Sequence, residues 1–433
     1  GAVFGLIPGL HAARADVAQV LRRSGPSTTS FGGARTRAVL VTVEMALAVV
    51  LLAGAGLLLK SLTHLLRVDP GIRPDHVFTF RVALPEAKYP TPRSQREMVD
   101  RTVEAMRQLP GADAAAASLS SPFVRSNFGI SYRVEGRPVG APGTNPVAEI
   151  RPSTPDFFRA LDLQLLKGRL FDQSDRRDRP QVAVVNEAFV RQTFPGEDPI
   201  GKRIMLGWGM DGDDGKGEVD AGGEIVGVVR DVRQFGLSRP PPPMVYLPFA
   251  QAPVGGFTVL VHSTASTALL EAEARRRMRD LDPDLPIFAA RPLSATMAGS
   301  IEGTRFFTLV LAGFSALALL LAAMGVYGVI SYSVVQRTRE LGIRFALGAT
   351  AGGVLRLVLR QGMAMVAVGA CVGVAAAAAL SRFLRAMLFE VAPADPFALA
   401  VACAVLCAVA AVACWLPARR AARVDPLVAM KAE

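Results

Sequence analysis

Two short segments of this chain resemble ligand-binding loops, and neither completes the pattern. Residues 196–203, GEDPIGKR, nearly match a phosphate-binding loop, but Arg203 stands where a magnesium-binding Ser or Thr is needed. The predicted helix also precedes this segment and the strand follows it, so no helix N-terminus would face a phosphate. Residues 211–220, DGDDGKGEVD, have acidic spacing like a calcium loop, but Gly215 stands where a side-chain oxygen is required. We predict an ordinary loop at the first segment and a solvated hairpin tip at the second.

The remaining nucleophilic and metal-binding residue types are scattered. All four cysteines lie in apolar runs, and Cys403 and Cys407, which share a helix face, are expected to be small packing residues. The histidines have no second ligand at usable spacing. No Ser/His/Asp or Cys/His set is present in the sequence. We therefore predict no catalytic residue, no metal site, no cofactor and no enzymatic activity. These residues are Cys371, Cys403, Cys407, Cys414, His11, His64, His76 and His262.

The most patterned polar stretch is residues 336–350, QRTRELGIRFALGAT, between two long apolar runs. Arg337, Glu340 and Arg344 recur at i, i+3 and i+7, which places them on one face of a helix. Glu340 can also pair with Arg344 at i+4. The spacing predicts a short charged helix.

Apolar and capping residues in the same stretch agree with a helix. Ile343 and Leu347 form an adjoining apolar stripe, Gly348 stands at a C-cap position and Thr350 can cap the next helix. We interpret the stretch as an amphipathic helix at the membrane surface with a face exposed to a partner. An ordinary arginine-rich cytoplasmic loop is the alternative.

Four apolar runs are long enough to cross a bilayer as helices: residues 38–59, 306–334, 355–380 and 397–416, the last closed by Pro417. The net charge of +11 over 433 residues would suggest nucleic acid in a soluble protein. Here the arginines flank the apolar runs, so membrane orientation explains the charge better. We expect no nucleic-acid partner.

One carboxylate lies inside the first apolar run. An ionisable residue at membrane depth is costly and is a functional candidate. Glu44, however, stands only about one and a half turns from the run's predicted cytoplasmic end, where it could reach water or an arginine. A functional role and a packing role both stay open.

Residues 60–305 contain no spanning run and alternate short predicted strands with helices, which indicates an α/β or α+β domain. Residues 135–244 are richer in Gly, Pro and Asp and are predicted to be an inserted subdomain. The predicted fold class is therefore a membrane α-helical protein with four spanning helices and a large extracytoplasmic α/β (α+β) domain after the first span.

The distribution of basic residues orients this arrangement. Cytoplasmic loops carry an excess of Lys and Arg, so both ends and the stretch around Glu340 are predicted inside and the large domain outside. The residues concerned are Arg14, Arg22, Arg23, Arg35, Arg37, Arg337, Arg339, Arg344, Arg356, Arg360, Arg419, Arg420, Arg423 and Lys431.

The start of the chain repeats its end. Residues 5–22, GLIPGLHAARADVAQVLR, align with residues 414–431, CWLPARRAARVDPLVAMK. We expect residues 1–37 to be the tail of a preceding copy of the same module, followed by a cytoplasmic linker.

Three segments carry a family resemblance. RTRELGIRFALGAT (residues 337–350) and LPARRAARVDPLVAMKAE (416–433) are similar to signatures of the FtsX-like permease superfamily. VAVVNEAFVRQTFPGEDPIGKRI (182–204) resembles a segment of the MacB-type periplasmic core domain. The resemblance covers nearly the whole chain, and the repeat resembles the duplicated permeases of this group, of which this chain would be the second module.

The resemblance implies an ABC transporter permease of the bacterial inner membrane, with residues 60–305 as periplasmic domain and 306–433 as FtsX-like domain. It implies a separate cytoplasmic ATPase docked on residues 337–349, mechanotransmission to the periplasmic domain, and efflux of a substrate. Other expected partners are a second permease module or a homodimer partner, and a periplasmic adaptor. A signalling module that regulates a periplasmic partner without transport is the alternative. The ATPase-coupling residues implied are Arg337, Arg339, Glu340, Leu341, Gly342, Ile343, Arg344, Ala346, Leu347 and Gly348.

Overall fold

The computed structural model describes residues 30–124, 128–138, 144–211, 218–337, 340, 343–344, 350–385, 388–392 and 395–421. Its first elements are α1 (Ser30–Leu66), β1 (Val77–Ala83), α2 (Pro92–Arg107), β2 (Ala112–Ser118), β3 (Gly129–Val134), β4 (Val147–Ser153), α3 (Phe157–Ala160), β5 (Leu165–Gly168), β6 (Val182–Asn186) and α4 (Glu187–Thr193). They are followed by β7 (Arg203–Asp211), β8 (Glu218–Val229), β9 (Met244–Pro248), β10 (Gly256–Ser263), α5 (Thr267–Leu281), β11 (Phe288–Pro292), α6 (Leu293–Gly299), α7 (Glu302–Gln336), α8 (Ala351–Leu384) and α9 (Pro396–Ala421).

The four predicted spanning helices are confirmed as α1, α7, α8 and α9, each long and apolar enough to cross a membrane. All four extend beyond the predicted apolar runs, because polar residues at the ends continue the helical hydrogen bonding. Pro417 was wrongly predicted to close the last span. It lies inside α9, which continues to Ala421. A proline is tolerated in a spanning helix where neighbouring groups compensate for its missing N–H.

Glycines bring α8 against α1. A Cβ on Gly369 would lie 2.5 Å from the Cβ of Met45, and one on Gly373 would lie 2.7 Å from the Cβ of Val49. Only residues without side chains allow the two backbones to approach this closely. Met45 and Val49 are fully buried in the cluster of apolar side chains that joins the four helices.

The domain between α1 and α7 is α/β in class, as predicted. One part of it, formed by β1, α2, β2, β10, α5 and β11, has a β-α-β-β-α-β order. Strands β11, β1, β10 and β2 lie side by side and are antiparallel. Phe78, Phe80 and Val82 alternate along β1 into a core that α2 and α5 cover. Alternating residues on one strand face opposite sides of a sheet, so Thr79 and Arg81 lie on the other face.

The chain between β2 and β10 forms a second unit of structure within the domain. Strands β4, β3, β7, β8, β6 and β9 pair in sequence, and β9 pairs back to β4, so the six strands close into a ring. A second cluster of buried apolar side chains fills this ring. Its strands run from β3 at Gly129 to β9 at Pro248, against predicted limits of 135 and 244 for the inserted subdomain.

Strands β2, β5 and β9 were not predicted from the sequence, and for β2 and β9 the reason can be identified. Strand β2 is ADAAAAS, and alanine has a low preference for strands. It is nevertheless a central strand whose small side chains are buried. Strand β9 begins directly after the proline run 240–243, whose composition favours a polyproline segment over a strand. Both strands form because tertiary pairing overrides local preference.

Candidate coupling site

Beyond Arg337, the charged stretch is helical at Glu340, Ile343 and Arg344, and Thr350 is extended. Arg344 Nη2 lies 2.6 Å from Glu340 Oε1, which confirms the predicted i, i+4 pair. Both side chains are about half exposed, and so is Ile343. Thr350 accepts a hydrogen bond from the backbone N–H of Gly353 and caps α8, as predicted. An ion pair and an exposed isoleucine therefore share one short helical surface.

The other residues assigned to coupling divide into two groups. Arg337, at the end of α7, is exposed and donates from Nη1 to Oε1 of Gln361 on α8 at 3.3 Å. The remaining predicted coupling residues lie outside the described residues: Arg339, Leu341, Gly342, Ala346, Leu347 and Gly348.

Arginines from other helices contact α7 near this stretch. The guanidinium of Arg37, near the start of α1, lies over the ring of Tyr332 at 4.3 Å. Arg420, near the end of α9, donates to the hydroxyl of Tyr327 at 3.0 Å. The predicted cytoplasmic ends of three spanning helices therefore meet at the last turns of α7.

Glu44 lies within the helix bundle, against α7. Its Oε2 atom is buried and has no hydrogen-bond partner among the described residues. A Cβ on Gly325 would lie 2.5 Å from that oxygen, so a side chain there would require the carboxylate to shift. Glu44 on the first spanning helix therefore faces Gly325 on the second.

In the extracytoplasmic domain, Asn186 joins three segments of the ring. Its Oδ1 accepts from the backbone N–H of Phe189, which caps α4, and from that of Met244 at the start of β9. Its Nδ2 donates to Asp231 Oδ1 at 2.7 Å and to the carbonyl of Pro242 at 2.9 Å. The sequence places Asn186 where a helix cap is expected, but the other three partners are distant along the chain.

Asp231 opens the turn after β8, residues 231–236, which we call the junction turn. Its carboxylate accepts from the N–H of Ala188 and from Arg191. Its own N–H donates to Glu187 Oε2. The junction turn is therefore fastened to the start of α4 from both sides.

The junction turn also contacts the chain just beyond α1 and just before α7. The N–H of Arg233 donates to the carbonyl of Pro70, and Gly71, at φ +82°, packs against the carbonyl of Asp231 too closely for any side chain. Gly236, at φ +102°, faces Ser300, two residues before α7 begins. Both connections to the membrane helices thus touch one turn.

A buried arginine holds the loop after β2. Arg151 is almost completely buried, and its Nη1 donates to the carbonyl and to the hydroxyl of Ser120 at 2.6 and 2.8 Å. Burial lowers the pKa of Arg151 to about 10, which still leaves it charged at neutral pH. The loop continues to Phe123, whose N–H donates to the carbonyl of Gln234 in the junction turn.

Sequence reasoning missed the junction turn and its partners as a functional region. Its only signal was the dense polar motif RDVRQFG directly after a predicted strand. Such a motif indicates a turn, but it does not show that segments more than a hundred residues apart meet there.

Comparisons with known proteins agree with this architecture. Residues 39–277 match the family described as the MacB-like periplasmic core domain, and residues 312–426 match the FtsX-like permease C-terminal family. The chain is 26% identical over 351 residues to the macrolide export ATP-binding/permease protein MacB of Agrobacterium fabrum, covering 77% of this chain and 49% of that protein. It is 28% identical over 348 residues to the protein of the same name from Rhodospirillum rubrum, covering 76% and 48%.

The chain spans about half the length of the curated relatives it matches. Among solved structures, the periplasmic region of MacB from Actinobacillus actinomycetemcomitans aligns with a TM-score of 0.35 and 17% identity, covering 55% of this chain and 98% of that one. The core-domain match covers more than half of the present chain. The chain therefore belongs to the MacB-like periplasmic core domain family and, with its FtsX-like C-terminal region, is a multi-pass permease of the MacB/FtsX type.

Proposed function

We propose that this chain is the permease subunit of an ABC transporter, in which a separate ATPase drives a conformational change of the periplasmic domain. The main support is that α7 runs unbroken from Glu302 to Gln336. It begins two residues after Ser300, which packs against the junction turn, and ends beside the charged stretch. A continuous helix can transmit displacement along its axis.

The ATPase would contact the exposed surface of Arg337, Glu340, Ile343 and Arg344, with the predicted neighbours that complete the stretch. An isolated ion pair on a solvated helix contributes little to stability, but it can set the register and orientation of a docked partner. The relatives' names state macrolide export, and we propose an export role for this chain, in the bacterial inner membrane. A second permease module or a second copy of the chain, and a periplasmic adaptor, would complete the assembly.

To test whether a separate ATPase binds the chain, the tagged full chain is purified from its native membrane in mild detergent. The preparation is then photolabelled with 8-azido-ATP. We expect a labelled polypeptide other than the permease, together with ATP hydrolysis. A preparation that binds and hydrolyses no ATP would contradict the proposed coupling.

The orientation is tested by single cysteines in a chain whose four natural cysteines are replaced by alanine. Asp280→Cys, on the exposed side of α5, should react with an impermeant maleimide in spheroplasts. Gln336→Cys, at the exposed end of α7, should react only after the membrane is permeabilised. Labelling of both positions in sealed spheroplasts would place the two regions in one compartment and overturn the mechanism.

A further inference from the structure

A cavity of about 530 Å³ lies in the extracytoplasmic domain, on the face of the β11-β1-β10-β2 sheet opposite the apolar core. The sheet supplies its floor. The loop after β2, the junction turn and α6 supply its walls, through residues such as Phe123, Phe235, Thr296 and Ser300.

Sheet register brings two arginines to this cavity. Arg291 on β11 pairs with Thr79 on β1, and Arg81 lies two residues further along β1 on the same face. The register of β11 against β1 shifts between these two positions, and both arginines line the cavity. The Thr79 hydroxyl donates to the carbonyl of Arg291 at 3.0 Å, which helps hold the edge strand in place.

These two guanidinium groups lack acidic partners within the described structure. Neither makes an ion pair there, and none of the described lining residues is Asp or Glu. Arg81 instead lies over the ring of Phe288 at 5.6 Å. Elsewhere in this domain arginines are commonly paired, as Arg107 is with Glu104 and Asp156. Two unpaired positive charges beside a concave wall concentrate positive potential there.

The opposite wall is apolar and firmly held. Phe123 is buried, adopts φ +66° and donates its N–H to the carbonyl of Gln234. Gln234 returns a bond from its side chain to the carbonyl of Ser121, and buried Arg151 anchors the adjacent Ser120. Because these bonds fix the wall before any ligand arrives, little ordering cost would accompany binding.

We propose that this cavity binds an amphipathic anion, with a phosphate or carboxylate head on Arg81 and Arg291 and an apolar body against Phe123 and Phe235. Guanidinium groups form strong charge-assisted hydrogen bonds with both kinds of head. A bound ligand would also contact Thr296 and Ser300, directly ahead of α7. The site is a property of the domain and does not depend on the proposed ATPase.

The test uses the full chain in nanodiscs of phosphatidylcholine, titrated calorimetrically with octyl phosphate, with empty nanodiscs subtracted. Charge-assisted hydrogen bonds contribute enough that removing both guanidinium groups should weaken binding at least about tenfold. We expect this from Arg81→Gln with Arg291→Gln. The matched control, Arg133→Gln with Arg279→Gln, removes two exposed arginines of the same domain and should change affinity less than about twofold.

Three further titrations test the cavity, the charge of the head and the apolar body separately. Thr296→Trp should weaken binding at least about tenfold by placing an indole in the cavity while both arginines remain. Octyltrimethylammonium should not bind, and inorganic phosphate should bind much more weakly than octyl phosphate. Equal affinity for the cationic amphiphile, equal affinity for inorganic phosphate, or unchanged octyl phosphate binding in the double Arg variant would each overturn the inference.

Discussion

Glu340→Lys should release the ATP-binding partner from the purified permease while the chain still inserts normally into the membrane. The Glu340–Arg344 pair is half exposed, so losing it changes helix stability by only about 0.5 kcal/mol. Reversing a charge that is paired at a protein interface costs far more, about 2–5 kcal/mol. The ATPase recovered with the tagged chain should therefore fall at least about 30-fold, as measured by 8-azido-ATP labelling.

A charge-swapped variant distinguishes docking from helix stability. Glu340→Arg combined with Arg344→Glu keeps an opposite-charge pair at the same spacing but reverses its polarity toward a partner. If the pair matters only within the helix, this variant should retain the ATPase. If the pair contacts the ATPase, the variant should lose it as Glu340→Lys does. Retention of the ATPase by both variants would contradict the docking role.

Asn186→Ala should loosen the six-stranded ring without disturbing the adjoining β-α-β-β-α-β part of the domain. The substitution removes an N-cap, whose loss typically costs about 1 kcal/mol of stability. It also removes the side chain that accepts from the Met244 N–H and donates to Asp231. An unsatisfied buried polar group costs about 1–3 kcal/mol, so we expect a total of about 2–4 kcal/mol.

Hydrogen exchange measured by mass spectrometry on the full chain in detergent checks this expectation. Amides of β9 and α4 should exchange at least about 30-fold faster, because local opening free energy sets the exchange rate. Asn145→Ala, a partly exposed asparagine in the same part of the chain, should leave exchange unchanged. Equal acceleration in β1 and β10 would show that Asn186 supports the whole domain rather than the junction between β6, β9 and the junction turn.

The sequence by itself determined the features whose physical cause is local. Four apolar runs of bilayer length predict four spanning helices, because a backbone in lipid must satisfy its own hydrogen bonds. The i, i+4 spacing predicts the Glu340–Arg344 pair, and Asn186 and Thr350 stand where helix caps are expected. Each of these depends on neighbours within a few residues, so no knowledge of the tertiary structure is required.

Only the tertiary structure decided the features that depend on register and long-range pairing. Closure of the ring requires β9 to pair with β4 about a hundred residues earlier, and burial of the alanines in β2 requires strands supplied by distant segments. Arg81 and Arg291 are more than two hundred residues apart, and a shift of one residue in β11 would turn Arg291 to the opposite face. Local propensity carries no information about such a pairing, because its free energy comes from contacts that exist only once the sheet has formed.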